Sequence, residues 1–191
     1  MIIIGIDPGS VITGTGIIEI SGNKISLLEF DTLEMSSKEA MSDRLKKVYD
    51  FCISKITKYK PNEFAIETAF FGKNIQSTLK LGQVRGAAIV AAKNYKLRIS
   101  EYSPREIKKS VTGNGASSKQ QVLSIVKSIL SIKEKPKFYD ASDALSIALC
   151  HFFCISRNTL YPVELKNKIS NKTCWKEYID KNPGKIINKR T

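Results

Sequence analysis

The 191 residues are 42% hydrophobic and 26% charged, enough for one domain with a full core and cramped for two. Lys and Arg outnumber Asp and Glu by 31 to 18, a net charge of +13 with a pI of about 9.6. That balance calls for a polyanionic partner, with nucleic acid ahead of an anionic membrane surface, because no basic amphipathic helix carries Trp, Phe or Leu on its apolar face.

The first stretch, Met1-Ile2-Ile3-Ile4-Gly5-Ile6-Asp7-Pro8-Gly9-Ser10, is an apolar run that stops on a carboxylate and a Pro-Gly turn signal. It reads as the central strand of a sheet, with Asp7 on the same face as Ile3 and Gly5 and with space beside Gly5. At this point Asp7 has two readings, a catalytic acid at a buried strand end or a turn-former ahead of Pro-Gly. Ile12 to Ile20 and Lys24 to Leu33 are β-rich and separated by Ser21-Gly22-Asn23, which predicts a three-stranded antiparallel meander. A long amphipathic helix is expected over 37–59, where Leu45, Val48, Cys52 and Ile56 recur near helical spacing and Pro61 lies just beyond. A short strand over Glu63 to Glu67, a helix over about 74–93, a strand over about 97–101 and a helix opening at Pro104 follow. This βββαβαβα order is an α/β pattern.

The Gly/Ser-rich loop 110–118 leads into a helix with Val122, Ile125, Val126 and Ile129 on its apolar side, and the last core helix is expected over about 138–153. Its Gly113-Asn114-Gly115 lacks the GxxxxGK[ST] spacing of a nucleotide-binding P-loop. Residues 157–191 carry nine basic against three acidic residues and no sustained periodicity. The expected division is therefore a domain over 1–156 and a basic, flexible tail over 157–191, with Trp175, Tyr178 and Ile179 as the alternative, a docked segment. Cys52, Cys150, Cys154 and Cys174 form no CxxC pair and read as buried thiols rather than zinc ligands or disulfides; His151 reads as an ordinary helix residue. No apolar run approaches the roughly 20 residues that span a bilayer and no signal peptide is recognisable, which predicts a cytoplasmic protein.

Glu67 closes its strand as Asp7 closes the first, and parallel neighbours would bring the two ends together. Asp140 and Asp143 stand three apart in Tyr-Asp-Ala-Ser-Asp-Ala-Leu, on one face of a helix. Each acid alone reads as a cap or a solvated residue. Four like charges at one spot repel unless cations compensate, and Mg²⁺, with octahedral oxygen coordination and open positions for water and phosphate, is the natural one. Two such ions, with Mn²⁺ as a possible substitute, suit in-line phosphodiester hydrolysis.

These residues carry a resemblance. Gly5-Ile6-Asp7-Pro8-Gly9, Ala65-Ile66-Glu67, Phe70 followed by Gly72-Lys73-Asn74, Leu79-Lys80-Leu81-Gly82-Gln83-Val84-Arg85-Gly86 and Asp140-Ala141-Ser142-Asp143-Ala144-Leu145 occur in the order and spacing of a RuvC-type Holliday-junction resolvase. The chain resembles that family from residue 1 to about 154. The resemblance implies a ribonuclease-H-like fold with a mixed five-stranded sheet flanked by helices, a homodimer, Mg²⁺-dependent nicking of two like strands of a four-way DNA junction in recombination and repair, and cooperation with the RuvA and RuvB branch-migration proteins. It places the four catalytic and metal-binding acids at Asp7, Glu67, Asp140 and Asp143. Lys119 and Lys108 fall where the family has lysines near the scissile strand, Lys109 being the adjacent alternative, and either can neutralise charge on the phosphate. Phe70, with Phe71 beside it as the rival, is positioned to stack on a base opened at the crossover. The doubled phenylalanine and the long basic tail depart from the family.

An actin-like ATPase or sugar kinase also uses a strand, an Asp-x-Gly turn and a hairpin, but needs a second lobe that a chain of this length lacks. A non-catalytic junction-binding protein accounts for the basic charge and leaves four converging acids unexplained.

Overall fold

The structure, a computed structural model, describes residues 1–22, 24–68, 74–132 and 139–160, the side chains of Tyr139, Asp140 and 157–160 excepted. The chain divides into two compact units, Met1–Phe153 and Cys154–Thr191. All five strands belong to the first: β1 (Ile2–Asp7), β2 (Ile12–Ser21), β3 (Lys24–Glu34), β4 (Glu63–Glu67) and β5 (Arg98–Tyr102). They form one sheet in the order β3-β2-β1-β4-β5. The meander β1-β2-β3 is antiparallel, and β1, β4 and β5 run parallel, the mixed five-stranded sheet expected of a ribonuclease-H-like fold.

One residue in two along β1 and β4 faces each side of this sheet. Ile4, Ile6, Phe64 and Ile66 point to the side covered by α1 (Met41–Tyr59) and α2 (Ile75–Asn94), where they form the main core with Val48, Cys52, Ile56, Val84, Ala88 and Ala92. Each fully buried aliphatic side chain there contributes about 1.5–3 kcal/mol. The opposite side, carrying Gly5 and Gly16, packs against α5 (Tyr139–Leu160). Two short helices, α3 (Pro104–Thr112) and α4 (Lys119–Leu130), fill the sequence between β5 and α5.

Two helix ends differ from expectation by more than a residue or two. α1 begins at Met41 rather than 37, because the Ser36 hydroxyl accepts the Lys38 N–H and the Ser36 carbonyl accepts the Glu39 N–H, holding a turn that competes with helix. α5 continues to Leu160, so the composition change near 156 falls inside a helix. Trp175, Tyr178 and Ile179 lie outside the described residues.

An ion cluster around the buried Lys55 ties β3 to α1. Lys55, 10% exposed at its side chain, reaches Glu29 and, at 2.6 Å, Asp31; Lys58 and the Tyr59 hydroxyl also donate to Glu29. Burial alone would raise the Glu29 pKa, but these hydrogen bonds override it and hold the carboxyl down at about 2. A carboxyl held lower in the folded chain than in the unfolded one stabilises the fold above about pH 4.5 and loses that contribution as pH falls towards 2. Thermal melts across that window are expected to show Glu29→Gln less stable than wild type at pH 7, with the two curves converging on acidification; parallel curves would discount the cluster.

Candidate active site

The site is built where the parallel strands end. Ile6 pairs with Ile66 across β1 and β4, so the next residues, Asp7 and Glu67, emerge side by side on the face that Gly5 and Ala65 share. Gly5 also pairs with Gly16 of β2, and the two glycines make a bare patch on which α5 lies. A Cβ at Gly5 would stand 2.2 Å from the Ala144 carbonyl oxygen and 2.7 Å from the Ala148 nitrogen; one at Gly16 would stand 2.5 Å from the Leu145 nitrogen. Only glycine admits backbone that close. The close approach places Asp143, one residue before Ala144, over the strand ends.

Asp7, Glu67 and Asp143 line one cleft of about 240 Å³ together with Lys108 of α3 and Lys119 of α4. Pro104, Ile107, Val122 and Ile147 form its apolar wall. Ser118 caps α4 by accepting the Gln121 N–H, while Gln121 Oε1 accepts the Ser118 N–H at 2.8 Å. This fixes Lys119 at the first helical position, where a cation opposes the helix dipole. Its position costs helix stability and supplies charge to the cleft: Lys119 Nζ donates to Asp143 Oδ2 at 2.8 Å. Ser103 and Glu106 cap α3 in the same reciprocal way.

Burial pushes the Glu67 carboxyl above the usual range; its hydrogen bond with Asp7 opposes this, the Asp143 charge adds to it, and Lys119 and Lys108 oppose it. Two carboxyls in hydrogen-bond contact must share a proton or a cation. Hard oxygen donors on rigid strand ends fit a divalent cation such as Mg²⁺ in place of that proton. Among the described residues no three His, Cys, Asp or Glu side chains stand close enough to hold one ion together. Asp140 belongs to α5, three residues before Asp143, with its side chain outside the description.

Of the residues singled out from sequence, Asp7, Glu67, Asp143, Lys108 and Lys119 meet in this cleft, whereas Lys109 lies on the other side of α3, in a second hollow. Phe70 and Phe71 lie outside the described residues. Gly16, Arg44 and Tyr102 escaped the sequence reading. Arg44 of α1 is 5% exposed and donates to the Ser10 carbonyl at 2.8 Å, anchoring the turn that follows Asp7. Tyr102 pairs with Glu67 in the β4–β5 register, and its hydroxyl lies 2.8 Å from Nδ1 of His151. His151 is 2% exposed, and burial lowers its pKa against the opposing pull of Glu63, 3.4 Å away. An arginine between helix-spaced apolar residues reads as solvated, and only the glycine pairing carried a usable signal, the Gly14-Thr15-Gly16 run of β2.

Acids at the ends of two central parallel strands and on the helix crossing them, in a sheet of this order, define a ribonuclease-H-like nuclease of the divalent-metal-dependent class. The chain belongs to the family described as Crossover junction endodeoxyribonuclease RuvC, whose sequence model matches residues 3–151. It is 45% identical to the Crossover junction endodeoxyribonuclease RuvC of Chloroherpeton thalassium over 187 residues, 98% of this chain and all of the relative. The Tolumonas auensis relative is 49% identical over 150 residues, 78% of this chain and 86% of its own. T. thermophilus RuvC in complex with Holliday junction substrate superposes with a TM-score of 0.79 at 31% identity, over 83% of this chain and 97% of that one. The yeast mitochondrial Holliday junction resolvase Ydc2 shares the fold, with a TM-score of 0.63 at 15% identity over 86% of this chain and 83% of its own.

Proposed function

We propose that the chain resolves four-way DNA junctions by paired symmetric nicks, and that Asp7, Glu67, Asp140 and Asp143 hold two Mg²⁺ ions per site, replaceable by Mn²⁺. The observation that carries this reading is the single cleft in which Asp7, Glu67 and Asp143 face Lys108 and Lys119. A bound divalent cation supplies Lewis-acid polarisation of the phosphoryl oxygen and a more acidic water. The protein does the rest. Strand ends fix two of the ligand carboxylates without loop motion. Lys119 exchanges Asp143 for the scissile phosphate, Lys108 approaches from α3, and both offset the charge that builds on the phosphorus oxygens. The apolar wall of Ile107, Val122 and Ile147 excludes water and strengthens these interactions. Phe70 stacks on a base opened at the crossover, a contact of about 1–3 kcal/mol. Residues 1–156 act as the nuclease domain and the basic stretch 157–191 as a non-specific phosphate-binding arm. In the cytoplasm, RuvA and RuvB are the proposed partners.

Incubation with a synthetic four-way junction and Mg²⁺ is expected to give two nicks related by the junction's two-fold axis, with intact duplex and EDTA controls uncut. Failure to nick the junction would reject the reading.

Two symmetric nicks need two sites, and the described residues form one acid-lined cleft, so the active species is a C2 dimer. The exposed stripe on α2 supports this: Ile75, Leu79 and Val90 are 75, 63 and 53% exposed, with Gly82 and Gly86 between them on the same helical face. Leu79→Asp is expected to shift the protein to monomer in analytical ultracentrifugation and to abolish paired nicking. A wild-type monomer that nicks both strands at the same concentration would rule the dimer out.

A further inference from the structure

The two sides of α3 face different spaces. Pro104, Ile107 and Lys108 border the acid cleft, whereas Arg105 and Lys109, four residues apart and therefore adjacent on the helix surface, line a second hollow of about 600 Å³ closed by Gly113, Asn114 and Gly115. We propose that this hollow is a second phosphate-binding site, which holds the DNA backbone of the arm that runs away from the cleft; the proposal rests on the nuclease reading above.

The hollow has a built shape. Gly113, at φ 80°, ends α3 in the left-handed conformation and turns the chain back along the helix. The turn is then pinned: the Thr112 hydroxyl lies 2.9 Å from the Asn114 carbonyl oxygen and the Ala116 N–H donates to the Asn114 side chain at 3.0 Å. A Cβ at Gly115 would stand 2.8 Å from Arg105 Cγ, so the stem of Arg105 rests on this glycine and is held against the loop.

The charges are unspent. Arg105 and Lys109 are exposed, and among the described residues neither forms an ion pair. Glu106, the acid that lines the hollow, is turned back to the helix start, where its Oε2 accepts the Ser103 N–H at 2.8 Å and the Ser103 hydroxyl at 2.6 Å. A guanidinium and an ammonium side by side suit phosphate oxygens, the guanidinium in bidentate fashion. The hollow is one helix away from the cleft, about 10 Å, a distance that a duplex spans within a few phosphates. A strand engaged at Lys108 therefore has its neighbouring backbone carried over α3 towards Arg105 and Lys109.

Each phosphate contact contributes a slope of about 0.9 to the logarithmic salt dependence, roughly eightfold in affinity at 0.1 M salt. The test compares wild type, Arg105→Ala, Lys109→Ala, the double variant and Lys24→Ala in full-length protein. Lys24 sits at the β2–β3 turn, beside the start of β1 and so at the other end of the strands from Asp7. Equilibrium binding to a four-way junction and to a linear duplex is measured from 50 to 300 mM salt, with single-turnover nicking at saturating junction. The expected result is a slope lowered by about 0.9 in each single variant and about 1.8 in the double, with weaker binding to both DNAs, an unchanged nicking rate at saturation, and a wild-type slope for Lys24→Ala. Recovery of affinity in Lys109→Arg would separate a phosphate contact from a structural role.

An unchanged slope and affinity in the double variant overturn the second site while leaving the nuclease reading intact, and so does an equal loss in Lys24→Ala. A fall in the saturated nicking rate equal to the fall in affinity overturns it too, by assigning the pair to the cleft. A wild-type protein that neither binds nor nicks the junction fails the underlying nuclease reading instead.

Discussion

Gly5→Ala is expected to lower the melting temperature and slow cleavage on the order of 10²-fold, although Gly5 carries no side chain for chemistry. A Cβ there would meet the Ala144 carbonyl oxygen at 2.2 Å and the Ala148 nitrogen at 2.7 Å. Both are backbone atoms inside a helix, so no rotamer change relieves the clash and α5 must lift by about 1 Å. Overpacking of this kind costs about 1–3 kcal/mol, a fall of roughly 2–12 °C in a chain of this size. The lift also carries Asp143 away from Asp7 and Glu67, and a displacement of about 1 Å between reacting groups costs on the order of 10²-fold in rate. Differential scanning calorimetry and nicking assays run well below the variant's melting temperature separate the two effects. Wild-type stability together with wild-type nicking would show that the glycine patch does not set the height of α5.

The same patch marks how far the site was legible in the chain. The strand bearing Asp7 announced itself because an apolar run ending on Asp-Pro-Gly has few other uses, and the space beside Gly5 followed from the alternation of side chains. The match of Glu67 to Asp7 needed only parallel pairing, and β1–β4 supplies it. Lys108 and Lys109 were indistinguishable as neighbours in a basic run; a helix separates them by 100° of arc, which sends Lys108 to the cleft and Lys109 to the hollow behind it. Helix capping fixed that rotation, through Ser103 and Glu106. What local pattern never carried was the long-range work of polar residues in apolar surroundings. Arg44 and His151 sit on helices whose periodicity says nothing about a carbonyl 34 residues away or a tyrosine on the far strand. Those partners are set by how elements stack, and stacking depends on side-chain volume across the whole sheet rather than on any window of sequence.

Asp7→Asn, Glu67→Gln, Asp140→Asn and Asp143→Asn are each expected to remove most nicking, on the order of 10²-fold or more for a lost metal ligand, while junction binding persists or tightens. Binding rests on phosphate contacts that these changes leave in place, and each variant removes one negative charge from the face that receives the polyanion. Glu67→Gln has a second expected signature. Burial, with the Asp143 charge, raises the Glu67 carboxyl pKa despite its hydrogen bond with Asp7 and the two lysines. An acid whose folded pKa lies above its unfolded value weakens the fold as pH rises through the unfolded pKa, and that cost persists at neutral pH. A neutral glutamine keeps a hydrogen bond to Asp7 without the charge, so in EDTA at pH 7.5 its melting temperature is expected to exceed that of wild type, with the gap closing below the carboxylate range. Added Mg²⁺ should raise the melting temperature of wild type more than that of Glu67→Gln, because an ion bound to the folded chain stabilises it by mass action. A variant that nicks at the wild-type rate would remove its residue from the site. Equal Mg²⁺-dependent shifts in wild type and Glu67→Gln would place the ion somewhere other than on Glu67.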